Sequence, residues 1–181
     1  MRRKVLLGVA VLLVACFGVA IAGLAQQPAD LLIVSATDRD ASRVPMPIAM
    51  FWLKHIAHFD PSQGEPPLLH FALNGAAMAD PDRLTQHFEV AELLLARGAD
   101  INQLDVRLGL TALHVSALND STAVMQFLIS HGANPNAAAN GRYSGLTPIG
   151  FIESLKDSGK QPSRAGLYEK MIAILKAAGG G

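Results

Sequence analysis

The stretch from Gly109 to Gly132, G-L-T-A-L-H-V-S-A-L-N-D-S-T-A-V-M-Q-F-L-I-S-H-G, constrains this chain more than any other. Its periodicity predicts a helix, a tight turn and a second helix. Thr111 offers an N-cap hydroxyl, and Leu113, Ala117 and Leu118 follow at helical spacing. Asn119 and Asp120 stop that helix. Ala123, Val124, Phe127 and Leu128 then form a second apolar stripe, ended by Gly132, where a helix terminus needs a residue that tolerates positive φ. Two helices this short cannot bury their apolar faces alone, so the unit requires copies of itself on either side.

The copies are present. Upstream, P-L-L-H-F-A (Pro67 to Ala72) parallels T-A-L-H-V-S (Thr111 to Ser116), and H-F-E-V-A-E-L-L-L-A-R-G-A-D-I-N (His87 to Asn102) parallels the second helix and its exit. Downstream, T-P-I-G-F-I (Thr147 to Ile152) and M-I-A-I-L-K-A-A-G (Met171 to Gly179) repeat the pair. With G-A-D-I-N (Gly98 to Asn102) and G-A-N-P-N (Gly132 to Asn136), the chain resembles the ankyrin repeat family, whose T-P-L-H-x-A motif and G-A-D-x-N turn recur about every 33 residues. The resemblance implies an all-α solenoid of helix-turn-helix units joined by short hairpin-like fingers. It implies protein binding and no catalysis, and a fold alone names no partner.

Three parts follow along the chain: an export segment over 1–25, a linker and capping helix over 26–65, and repeats over 66–181, divided at about 66–105, 106–140 and 141–181. The basic start Met1-Arg2-Arg3-Lys4 precedes an uncharged run from Val5 to Ala25 that ends in small residues, the pattern of an exported chain. Three fates fit it: cleavage after Ala25, retention of residues 5–25 as an anchor, or acylation of Cys16 in the lipobox-like Leu13-Val14-Ala15-Cys16. A helix of about 21 residues at 1.5 Å per residue just spans a bilayer. Each fate places the repeats outside the cytoplasm, either periplasmic or anchored in the inner membrane facing the periplasm. Pro47 to Phe59 has apolar residues at helical spacing and the single tryptophan, Trp52; it suits a cap over the first repeat.

Composition narrows the function classes. Lys and Arg, 15 together, equal Asp and Glu, also 15, so no basic excess points to nucleic acid. Without Arg2, Arg3 and Lys4 the balance is mildly acidic. One cysteine excludes an intrachain disulfide framework and a cysteine-based zinc site. His55-x-x-His58 could place two imidazoles on one helix face, yet no carboxylate or cysteine is placed by sequence to complete a metal site. His70 and His114 fall on the motif histidine, His87 on the position opening a second helix, and His131 just before Gly132, where a cation complements the helix dipole. There is no G-x-S-x-G, H-E-x-x-H or phosphate loop, so neither cofactor nor catalytic group is expected.

Two spacings depart from the family. His70 to Gly98 is 28 residues and Gly150 to Gly179 is 29, against 18 from His114 to Gly132. About ten extra residues therefore stand between the helices of the outer repeats. Gly75 to Thr85 reads as a loop broken at Asp80-Pro81, and Lys156 to Gly166 as a second insertion on the same edge. The finger from Gly132 to Thr147 is 15 residues against 13 from Gly98 to Thr111. In the family, fingertips and exposed positions of the first helices form a concave protein-binding surface. Carried over by position, this implicates Val106, Arg107 and Leu110 in the first finger, Leu118 and Asn119 on the middle helix, and Arg142, Tyr143 and Leu146 in the second finger. The plainer reading makes Arg107 and Arg142 solvated loop charges, and Leu110 and Leu146 packing residues. The functional expectation is an exported module that binds or inhibits one envelope protein, in an immunity-like or enzyme-accessory role; the alternatives are a membrane-tethered scaffold and a metal-dependent enzyme.

Overall fold

The structure, a computed structural model, describes residues 67–78, 81–158 and 162–181. Six α-helices follow in order: α1 Leu68–Met78, α2 Pro81–Ala96, α3 Ala112–Leu118, α4 Thr122–Ser130, α5 Pro148–Asp157 and α6 Ala165–Ala177. Short 3-10 turns cover Gly141–Tyr143 and Pro162–Arg164. Each odd-numbered helix pairs with the even-numbered one after it. The inner helices α1, α3 and α5 pack side by side, and α4 packs against α6 in the outer row. The expected export segment and the expected capping helix fall outside the described residues, as do His55 and His58. Among the described residues no helix is long and apolar enough to cross a membrane.

The core runs through all three units without a break. Leu69 and Leu73, Val90 and Leu94, Leu113, Met125 and Leu128, Phe151 and Ile152, and Met171 and Leu175 are all buried. Between the outer helices, Phe88 of α2 stacks on Phe127 of α4 at 4.4 Å between centroids. None of the three helix pairs is large enough to enclose a core alone, so each unit's apolar faces become interior only by stacking.

All three outer helices end in the same way, on Gly98, Gly132 and Gly179 with φ of 92°, 88° and 89°. The following N–H returns to a leucine carbonyl: Ala99 to Leu94, Ala133 to Leu128, and Gly180 to Leu175, at 2.9–3.0 Å. A glycine at this position reaches the left-handed region without the Cβ penalty. Asp100 Oδ1 then accepts from Asn102 N–H, and Asn134 Oδ1 from Asn136 N–H, forming equivalent side-chain turns after the first two glycines. The units are also tied to one another here. Asn134 N–H donates to Asn102 Oδ1, while Asn136 donates to the Gly179 carbonyl and accepts from Gly181 N–H.

The two insertions are not the loops that the sequence suggests. Gly75 to Met78 continues α1, and Pro81 to Thr85 opens α2, so that α1 has 11 residues against seven in α3, and α2 has 16 against nine in α4. Proline fits the first helical turn because its missing N–H would be unpaired there in any case. His87, expected to open a helix, therefore lies well inside α2. Its Nδ1 is 2.9 Å from the Ala72 carbonyl, and a Cβ on Gly75 would stand 2.4 Å from its ring, so glycine is what lets α1 and α2 approach. In the third unit Lys156 and Asp157 extend α5, while Pro162–Arg164 and Ala165 lead into α6. The Lys156 ammonium and the Glu169 carboxylate link these two helices.

Candidate functional site

Three surfaces carry polar groups in a repeated arrangement: the motif histidines, the fingers, and the edge where paired helices turn. In the middle unit Thr111 is the N-cap of α3 and its hydroxyl lies 2.7 Å from His114 Nδ1, which also accepts from Thr111 N–H at 3.4 Å. An accepting Nδ1 leaves the proton of the neutral ring on Nε2, which donates to the Leu146 carbonyl of the next finger at 3.1 Å. His70 makes the same forward bond, from Nε2 to the Gln103 carbonyl at 2.9 Å. Its Nδ1, however, is buried with no hydrogen-bond partner among the described residues. Pro67 stands where Thr111 stands in the next unit, and proline has neither hydroxyl nor N–H to offer. Burial lowers the pKa of both rings, opposed at His70 by the Gln103 carbonyl and Asp105, and at His114 by the Leu146 carbonyl. Both imidazoles are fixed structural links. A cleft of about 10 Å³ bordered by His70, Asn74, Ser116 and Asn119 has room for little more than a water-sized molecule. Among the described residues no three metal-ligating side chains come together.

The fingers share one backbone frame with different tips. In the first, Asp105 N–H donates to the Leu110 carbonyl, and in the second Ala139 N–H donates to the Leu146 carbonyl. The buried Asp105 carboxylate organises the first tip, accepting from Arg107 N–H at 2.8 Å and Leu108 N–H at 3.1 Å. Alanine at the matching position of the second finger has no such oxygen, and a 3-10 turn over Gly141–Tyr143 takes up the two additional residues. The fingers touch where Asn140 N–H donates to the Gly109 carbonyl at 2.8 Å. Gly109 has φ 67°, and a Cβ there would stand 2.6 Å from the Asn140 carbonyl oxygen, so only glycine allows the contact.

The predicted contact residues divide between two places. Val106, at 75% exposure, and Arg107 form the open tip of the first finger, with Arg142 exposed on the second. Leu110, at 1% exposure, is in the core and offers nothing to a partner. It precedes the N-cap Thr111, the position at which an apolar residue packs back onto the helix it introduces. Leu146, before the N-cap Thr147, is half-buried for the same reason. Tyr143 is not a free tip residue either: it is half-buried and meets Phe151 edge to face at 5.0 Å and 88°, with the Arg142 guanidinium 5.9 Å from its ring centre. Leu108, 40% exposed beside Val106, was missed by positional transfer; its place two residues before the inward Leu110, on the far side of Gly109, is the signal that could have found it.

Leu118, at 42% exposure, and Asn119 lie at the other end of α3, about 10 Å from the fingers by helix length. Asn119 donates to Asn74 Oδ1 at 2.6 Å, and its neighbour Asp120, held at φ 57°, pairs with Arg164 at 2.6 Å. This edge is a cross-unit ladder from α1 to the turn before α6. The structure therefore does not join Leu118 and Asn119 to the finger residues as one patch.

Comparison with known proteins agrees with this architecture. The family model described as ankyrin repeats (3 copies) matches residues 76–151. Among curated relatives, an ankyrin repeat protein of Fowlpox virus (strain NVSL), FPV031, is 42% identical over 67 residues, covering 37% of this chain and 18% of its own length. The B-cell lymphoma 3 protein homolog of Mus musculus is 39% identical over 83 residues, covering 39% of this chain and 18% of its own. The mitochondrial disaggregase of Homo sapiens is 39% identical over 103 residues, covering 56% and 14%. The chain thus spans less than a fifth of the length of these relatives. In fold, it is similar to the crystal structure of the ankyrin repeat domain of Bcl-3, with TM-score 0.55 and 24% identity over 83% of this chain and 55% of that one. Together with the repeated helix pairs, glycine terminations and finger hydrogen bonds of three successive units, the family-model match identifies residues 76–151 as ankyrin repeats.

Proposed function

We propose that the chain is an exported, non-enzymatic module that binds one protein partner in the cell envelope through its finger ridge. The ankyrin-repeat fold supports protein binding as the general role. The observation that carries the finer reading is the ridge itself: Val106 and Leu108 are large apolar side chains exposed at 75% and 40%, flanked by Arg107, and hydrogen-bonded through Gly109 to the finger that bears Arg142. Apolar centres with arginine at their margin are what a protein interface uses, since arginine is among the residues that most often carry binding energy. Export rests on Arg2-Arg3-Lys4 and the uncharged run to Ala25. A module placed there acts by occupying its partner, as an inhibitor, an immunity-like factor or an accessory to an enzyme.

The test has two parts. The tagged full chain is used to isolate its partner from the envelope fraction, and affinity is then measured for Val106→Asp, Leu108→Asp and Arg142→Ala. Loss of binding by at least about 2 kcal/mol in the first two, with unchanged melting temperature, supports the ridge. Wild-type affinity in all three, with loss in Arg164→Ala, moves the site to the opposite edge. Intact-mass analysis of the envelope protein reports processing: a chain beginning at Gln26 fits cleavage, one retaining Met1 fits an anchor, and an acylated Cys16 fits a lipoprotein.

A further inference from the structure

Asn-Gly occurs twice in the described chain, at Asn74-Gly75 and Asn140-Gly141, and the fold treats the two pairs in opposite ways. An asparagine side chain is open to attack when the next backbone nitrogen can approach its amide carbon, and glycine places the least bulk in the path. Asn140 and Gly141 are both exposed on the second finger, and a Cβ on Gly141 would meet nothing within 4 Å. Gly141 sits at φ 58° with Asn140 extended at φ −124°. Among the described hydrogen bonds, none engages the Gly141 N–H or the Asn140 amide nitrogen, whereas the Asn140 backbone is anchored by its N–H to Gly109. The reacting pair is thus held at a fixed point on an exposed finger, with the Asn140 side-chain oxygen lying over Gly109 and open space around the Gly141 Cα.

Asn74 is held differently. It lies inside α1, where the following N–H belongs to the helical ladder, and its side-chain oxygen accepts from Asn119 at 2.6 Å. Gly75 is itself pressed against the His87 ring. Both the attacking nitrogen and the target amide are committed to other bonds.

We propose that Asn140 is a site of spontaneous deamidation and that the fold withholds the same reaction from Asn74. The Gly141 nitrogen loses its proton and attacks the Asn140 side-chain carbon; the new C–N bond closes a five-membered imide, and ammonia leaves with the proton. One water molecule then opens the imide at either carbonyl, giving aspartate or isoaspartate. The net change is one water consumed and one ammonia released, with no oxidant or cofactor. Opening to isoaspartate inserts the side-chain carbon into the main chain between positions 140 and 141. That lengthens the backbone between the Asn140 N–H bonded to Gly109 and the Tyr143 N–H bonded to the Asn140 carbonyl, so the contact between the two fingers ages with the protein.

Peptide mass mapping of the full chain, native and in denaturant, after incubation in mildly alkaline buffer tests this. In the native protein the Asn140 peptide converts to two acid isomers while the Asn74 peptide keeps its amide; in denaturant the two convert at comparable rates. Gly141→Ala slows conversion at Asn140 several-fold in both conditions, so the result does not depend on how that variant folds. Equal native rates at Asn74 and Asn140, or a native Asn140 that keeps its amide for as long as Asn74, would overturn the proposal.

Discussion

The Thr111 hydroxyl lies 2.7 Å from Nδ1 of the buried His114, and in the preceding unit, where Pro67 replaces the threonine, the matching nitrogen of His70 has no partner among the described residues. The same link between units is therefore complete in one place and half-made in the other. Thr111→Val should leave His114 Nδ1 only the long contact from the backbone N–H of residue 111, at 3.4 Å, and cost about 1–3 kcal/mol, the usual penalty for depriving a buried polar atom of its main partner. Pro67→Thr should act in the opposite sense, by about 1 kcal/mol. Urea denaturation of the two variants checks both signs; equal stability in all three proteins would remove any energetic role for the hydroxyl.

Acidification should weaken the array through these same two rings. Burial lowers the folded-state pKa of His70 and His114 below the ordinary 6.5, so below that pH the unfolded chain binds more protons than the folded one. The contribution is complete above about pH 6.5 and is lost progressively as pH falls, by at most about 1.4 kcal/mol per pH unit for each histidine. Denaturant midpoints from pH 7.5 to about pH 5.5 should fall, and His114→Gln should reduce the slope even where it lowers stability overall.

Arg142 and Tyr143 are neighbours in sequence with different expected costs. Arg142→Ala should change stability by no more than about 0.5 kcal/mol, as an exposed loop substitution does. Tyr143→Ala removes the edge-to-face contact with Phe151 and should cost about 1–3 kcal/mol, whereas Tyr143→Phe should keep most of it. Melting temperatures of the three variants decide the matter, and they must precede any claim that Tyr143 binds a partner.

Leu113 is 1% exposed in the middle of the stack, with α1, α4 and α5 all packed on its helix or beside it. Leu113→Ala should open a cavity and cost about 2–5 kcal/mol. A thermal melt with unchanged midpoint and cooperativity would contradict a continuous core.

Much of this architecture was legible beforehand because it rests on local signals that repeat. Glycine after each outer helix, threonine before Ala112 and Pro148, and the paired apolar stripes each fix one turn or one face without needing the rest. What failed was the reading of the whole of Gly75 to Thr85 as a loop, since Gly75 to Met78 belong to α1 and Pro81 to Thr85 to α2. Proline ends a helix only from within; at a first turn it begins one, and the Ala-rich segment before it has high helix propensity. Positional transfer misplaced Leu110 and overstated the exposure of Tyr143 for a related reason. A fingertip side chain turns in or out according to finger length and what lies beneath, and Phe151, the residue beneath Tyr143, belongs to the next unit. The ladder of Asn74, Asn119, Asp120 and Arg164 spans three units and left no mark in any single stretch.

The imidazole links point in one direction. His70 reaches forward to Gln103 and His114 to Leu146, while Gly150, at the third equivalent position, has no ring with which to continue. Its N–H is taken instead by the Thr147 hydroxyl, within its own turn. The array accordingly has a mechanical polarity. A pull on the C-terminus loads first the third unit, held to the middle one by the packing of α5 on α3 and α6 on α4, one imidazole, the Asn136 bonds to Gly179 and Gly181, and the Arg164 pair. The chain should yield there first and peel toward the first unit, one unit at a time, with the middle unit giving way only after its outer neighbour has gone.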